Sequence, residues 1–176
     1  PILHYNIHDM NLLNGVCELL KTCKFYTDSS CGGHIHIGAS YLTRKEDYLM
    51  LLYLYNNVEN IMYYITDKEG TIKRENVSEY AMKTKDTYIE AITEGKLNKD
   101  TKESIIETLQ QINQNRYKGL NFKNIGLYGK NTIEFRMPNG EIDFTELLAN
   151  IKLFSRLIEM SHKLNYLEKT DPIKVK

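Results

Sequence analysis

Net charge is the first thing this sequence lacks. Its 23 Lys and Arg side chains balance 23 Asp and Glu, so no global field draws in nucleic acid or an anionic membrane, and any phosphate binding has to be local. Cysteine is scarce: Cys17, Cys23 and Cys31 cannot all pair, and no Cys-x-x-Cys zinc spacing occurs among them. A reducing, cytoplasmic setting is expected, with Cys17 and Cys23 acting as small buried hydrophobes on a helix. No apolar run approaches the ~18 residues of a membrane span, and no secretory signal opens the chain. Internal repeats and low-complexity blocks are missing as well.

What is present fits one domain. A length of 176 residues, 41% apolar and 26% charged, is enough for a real core and too short for two comfortable ones. The opening Pro1-Ile2-Leu3 carries no initiator methionine, and the chain is expected to be cut from a longer protein.

The periodicities outline an order βαβααββα after that short apolar start. Asp9 is placed to cap a helix whose apolar residues Leu12, Leu13, Val16, Leu19, Leu20 and Cys23 recur at helical spacing. Thr43 and Glu46 form a capping-box pattern for a long helix to about residue 65, with Tyr48, Leu51, Leu52, Tyr55, Val58, Ile61 and Met62 as its apolar stripe. A polar stretch follows, with a loop around Arg74, a helix over 78–94 stopped by Gly95, and a helix capped by Asp100 and Glu103. Strands are predicted over 117–123 and 132–137, joined through Gly126 and Gly129. The Pro138-Asn139-Gly140 turn then leads to a helix capped by Asp143 and Glu146 that runs to about residue 167. This order predicts an α+β domain over 1–168, with a mostly antiparallel sheet packed with long helices and a frayed tail over 169–176.

Two strand patterns carry chemistry. In Cys31-Gly32-Gly33-His34-Ile35-His36-Ile37-Gly38 the two imidazoles project from one face. In Thr132-Ile133-Glu134-Phe135-Arg136-Met137 a carboxylate and a guanidinium do the same, while Ile133, Phe135 and Met137 point toward a core. The bland readings stay open: two half-buried histidines bonded to neighbours, and a surface ion pair. If the polar faces meet, they form a metal- and phosphate-binding surface, and a hard cation such as Mg²⁺ favours the carboxylate. A zinc hydrolase needs further ligands, and only His4, His8 and His162 remain. A cupin needs a glutamate shortly after His36, where Ala39, Ser40 and Tyr41 stand.

The succession of Pro1-Ile2-Leu3, a helix, the Cys-Gly-x-His-x-His-x-Gly run at 31–38, a long helix, an isolated Arg74, Arg116-Tyr117-x-x-Leu120-Asn121 and Thr132-x-Glu134-Phe135-Arg136 resembles the amidoligase family. That family is related to glutamine synthetase and glutamate–cysteine ligase, the ATP-dependent carboxylate–amine ligases. The resemblance implies a partial glutamine synthetase-like catalytic fold and amide-bond formation through an acyl phosphate, with ATP as co-substrate and Mg²⁺ or Mn²⁺ as cofactor. It implies that His34 and Glu134 ligate the metal and that His36 contacts nucleotide phosphate. Arg136 is then the arginine that holds the carboxylate substrate or the transferred phosphoryl group, and Arg74 reaches the ATP phosphates. Tyr117 and Asn121 line the nucleotide site, although for Asn121 a backbone-capping amide is an equal alternative. The implied partners are small-molecule or peptide carboxylates and amines, without nucleic acid or membrane.

Family members begin with a Glu-x-Glu strand and an acidic segment ahead of the Pro-Ile-Leu element, and this sequence contains neither. The chain is therefore expected to be the C-terminal part of the ligase with an incomplete site, and surface left uncovered is expected to favour self-association. Two other classes remain as alternatives: a non-catalytic interaction or scaffold domain that retains the fold, and a metal-dependent hydrolase.

Overall fold

The computed structural model describes residues 3–66, 77–126 and 130–170. Arg74, the loop around it, Gly129 and the tail from residue 171 onward lie outside the described residues.

Helix α1 spans Ile7–Thr22. Its N-cap is Asn6, not Asp9: Asn6 Oδ1 accepts the Asp9 amide at 2.9 Å, while the Asp9 carboxylate accepts the His4 amide at 2.7 Å. The first bond satisfies an amide that the first helical turn leaves unpaired, and the second ties the chain ahead of the helix to that turn. Strand β1, Ile35–Gly38, runs into a short 3-10 turn over Ala39–Tyr41. Helix α2 then covers Lys45–Thr66. Its capping carboxylate is Asp47 rather than Glu46, accepting the amides of Thr43 and Arg44 at 2.9 and 3.0 Å.

The expected helix over 78–94 is broken in two, α3 at Val77–Tyr80 and α4 at Lys85–Thr93. At the break, Met82 trades backbone hydrogen bonds with Tyr117 and Gly119, both at 2.8 Å. Glu59 of α2, itself buried, accepts the Thr84 amide and hydroxyl at 2.6 and 3.0 Å and the Lys85 amide at 3.1 Å. A distant carboxylate thus starts α4, which local periodicity had no means to show. Helix α5 covers Lys102–Ile112 and is capped by Thr101, not Asp100, through the Ser104 amide. The last helix, α6 over Phe144–Thr170, starts at Asp143 as expected, with Asp143 Oδ1 accepting the Thr145 amide at 2.8 Å.

The fold is α+β with a small three-stranded antiparallel sheet. Strands β2 (Leu120–Asn121) and β3 (Thr132–Phe135) are shorter than expected, and the sheet order is β1-β3-β2. Residues 3–6 form no strand, so the described residues lack the leading strand. One sheet face is apolar, with Ile35, Ile133, Phe135 and Leu120 buried, and Phe135 stacks on Phe154 of α6 at 4.3 Å between ring centres. Buried Tyr88 donates its hydroxyl to the Leu120 carbonyl at 2.9 Å, and Asn113 Oδ1 accepts the Phe122 amide at 3.2 Å. These bonds dock β2 on α4 and the end of α5. Burial pushes the Tyr88 pKa up, which keeps the hydroxyl a neutral donor.

Other expectations change at the surface. Cys17 is buried but Cys23 is exposed, because it closes α1 instead of lying within it. Leu12, Val16 and Leu19 of α1 and Ile61 of α2 are exposed as well. No described helix is long and apolar enough to cross a membrane.

Candidate functional site

Register brings the two strand motifs together. His36 of β1 lies directly opposite Glu134 of β3, and Asn121 of β2 lies opposite Glu134 on the other side. In the same pairing Gly38 faces Thr132, and Thr132 Oγ1 is 3.0 Å from His36 Nδ1. His34 stands just before β1, where the chain is held by Gly33 donating to the Pro138 carbonyl at 2.9 Å and by the Gly32–Asn139 bridge.

Glu134 is the centre of the cluster. Its Oε1 accepts a hydrogen bond from Arg136 Nη1 at 2.7 Å, with His34 Nδ1 at 3.4 Å and His36 Nε2 at 3.6 Å from the same oxygen. The two histidine distances are ion-pair contacts too long for strong hydrogen bonds. Glu134 and Arg136 were expected to point away from the core into a binding face, with an exposed surface ion pair as the alternative. They are instead 6% and 7% exposed. Arg136 Nε donates to the Tyr80 carbonyl at 3.1 Å, and its guanidinium lies 5.7 Å from the Tyr117 ring centre. Tyr80 packs edge-on to Tyr117 at 5.1 Å. The Tyr117 ring, the Tyr80 carbonyl and the Glu134 carboxylate therefore surround the guanidinium, and burial of a charge pair is tolerable only with such matched partners. The two imidazoles remain partly open to solvent, with side-chain exposures of 36% and 40%.

The structure thus gathers His34, His36, Glu134, Arg136 and Tyr117. Asn121 joins them by register, but its buried amide is spent on the backbone: Nδ2 donates to the Arg116 carbonyl at 3.0 Å and Oδ1 accepts the Lys123 amide at 2.8 Å. Sequence reasoning missed Thr132, Tyr80 and Arg116. The period-two pattern Thr132, Glu134, Arg136 was a usable signal for the first. For Tyr80 there was none.

A fit test for a divalent cation gives a partial donor set. Among the described residues, no group of three or more His, Cys, Asp or Glu side chains is arranged to hold a metal by itself. Of this set only the Glu134 carboxylate is the oxygen donor that Mg²⁺ favours, so such an ion would take most of its ligands from waters and substrate phosphates.

Comparison with known proteins decides the family. The model of the family described as "Putative amidoligase enzyme" matches residues 1–158. The chain belongs to the amidoligase family. In this amidoligase-family chain the match takes in every element from α1 through β3 and the first half of α6. No curated protein matches the chain, and no solved structure matches it.

Proposed function

We propose that this amidoligase-family chain forms part of an ATP-dependent carboxylate–amine ligase, with a fold of the glutamine synthetase kind. The observation that carries the reading is the convergence of His34, His36 and Arg136 on one oxygen of Glu134. His34 and Glu134 would hold Mg²⁺, with His36 facing the nucleotide phosphates. Held there, the ion would supply positive charge that offsets the negative charge of phosphoryl oxygens.

In the reaction a carboxylate oxygen attacks the γ-phosphorus of ATP, the bond to the bridging β,γ oxygen breaks, and ADP departs with that electron pair. An amine nitrogen then attacks the acyl carbon, phosphate leaves with the C–O bonding electrons, and the nitrogen releases a proton. The protein's share is positioning and charge. Arg136, fixed through the Tyr80 carbonyl and Glu134, is pre-aimed as a planar fork for a carboxylate or phosphoryl group. Tyr117 walls the site beside it. Thr132 orients His36 through Nδ1, leaving Nε2 on the Glu134 side.

Mn²⁺ binding read by electron paramagnetic resonance, with ATP present, tests the reading. Saturable binding by the chain, lost in both His34→Ala and Glu134→Ala, is the expected result. Binding that survives both substitutions removes the metal-ligand assignment.

A further inference from the structure

The Arg116–Asn121 segment folds as one unit, and the unit presents a second guanidinium to the site. The Asn121 amide closes it on the Arg116 carbonyl at 3.0 Å, and Asn121 is in register with Glu134. The Arg116 guanidinium lies 5.1 Å from the centre of the same Tyr117 ring that Arg136 approaches at 5.7 Å. Arg116 Nη2 donates to the Tyr117 hydroxyl at 3.2 Å. Arg136 is buried and paired with Glu134, whereas Arg116 is exposed and has no carboxylate partner among the described residues. The Arg116 pKa is raised, first by its hydrogen bond to that hydroxyl and to a smaller degree by the Glu134 charge.

We propose that Arg116, steadied on Tyr117, is a binding residue for an oxyanion of the substrates, acting at the same ring that Arg136 approaches. Asn121 is its positioning residue. The inference rests on the ligase reading and adds to it a contact that the metal cluster does not supply. A guanidinium on an aromatic ring, with no carboxylate partner among the described residues, is well suited to this task, because its planar fork matches phosphate and carboxylate and the ring limits the entropy lost on binding. Two sources share the chemistry: the phosphate chain of the nucleotide and the carboxylate of the acid substrate.

Calorimetric titration of the 176-residue chain with tripolyphosphate, with and without Mg²⁺, and separately with glutarate, tells them apart. Arg116→Gln is expected to weaken one probe about tenfold or more, the loss of a charge-assisted bidentate contact. Arg116→Lys should recover part of that loss, and Tyr117→Phe should give an intermediate one. Melting temperatures should stay close to wild type, since Arg116 is exposed. Weakening of tripolyphosphate alone assigns Arg116 to the phosphate chain, of glutarate alone to the acid, and of both to a shared role. Unchanged affinity for both probes in Arg116→Gln, while the wild type binds, overturns the proposal and leaves the ligase reading standing. If the wild type binds neither probe, with or without Mg²⁺, the Arg116 proposal falls, while the ligase reading stands or falls on the Mn²⁺ titration.

Discussion

At Glu134 a carboxylate sits nearly out of water with a guanidinium 2.7 Å away, so function and stability are tied together at one side chain. Glu134→Gln keeps an oxygen acceptor for Arg136 but leaves a buried guanidinium uncompensated, at a cost of about 2 kcal/mol. Urea unfolding measures it, and an unchanged midpoint would show that the pair is solvated in solution. Arg136→Lys should cost a comparable amount, because an ammonium cannot serve Glu134 and the Tyr80 carbonyl with the same planar geometry. Much of this site was legible beforehand. The period-two spacing of His34/His36 and of Glu134/Arg136 selects one face of each strand whatever the rest of the chain does. The burial of Glu134 and Arg136 was not legible, because the covering ring of Tyr117 and the Tyr80 carbonyl come from residues with no local pattern linking them to β3.

Helices and strands here were easier to locate than to delimit. The apolar periodicity of α2, α5 and α6 is strong, and each lies close to where it was expected. Two N-caps moved, to Asn6 and Thr101, and the capping carboxylate of α2 moved from Glu46 to Asp47, since neighbouring polar residues compete for the same amides and packing selects the winner. The joint between β1 and the 138–140 turn makes an element-scale prediction through two glycines of opposite sign. A Cβ on Gly33 would stand 2.6 Å from the Asn139 carbonyl oxygen. Gly33→Ala should therefore push the His34 approach away from β3 and destabilise by about 1–3 kcal/mol. Gly15, inside α1, has nothing within 4 Å of such a Cβ. There Gly15→Ala should stabilise by about 0.5–1 kcal/mol through helix propensity alone. Thermal melts of the two variants moving in the same direction would contradict this.

Across the whole molecule, α2 and α6 form the most extensive helix pairing, and Asp47 ties their ends together. It is fully buried, and besides the Thr43 and Arg44 amides it meets the Arg44 guanidinium at 2.9 Å and His162 Nδ1 at 3.1 Å. Arg44 also donates to the His162 carbonyl. Burial opposes ionisation of Asp47, but the Arg44 amide, His162 and the Arg44 guanidinium outweigh it and hold the carboxyl below its ordinary value. A depressed folded-state pKa gives stability that is complete above the unfolded value of about 3.9 and is lost as pH falls through the folded value. Asp47→Asn should thus lower the melting temperature near neutral pH, and the gap to wild type should narrow as pH drops below about 4. A gap independent of pH would mean that the carboxylate charge contributes nothing there.

The sequence by itself determined which side chains share a strand face, where the long helices run, and the amidoligase resemblance that the family match bears out. These are properties of spacing over a few residues, or of motifs read in order, and neither needs the fold. Only the tertiary structure decided that His36 lies opposite Glu134, that Asn121 closes on Arg116, and that Glu59 starts α4. It also decided that a buried charged pair lies against the Tyr117 ring and the Tyr80 carbonyl. The reason is distance along the chain: strand register and buried partners are set by packing between segments many residues apart, where no local period reaches.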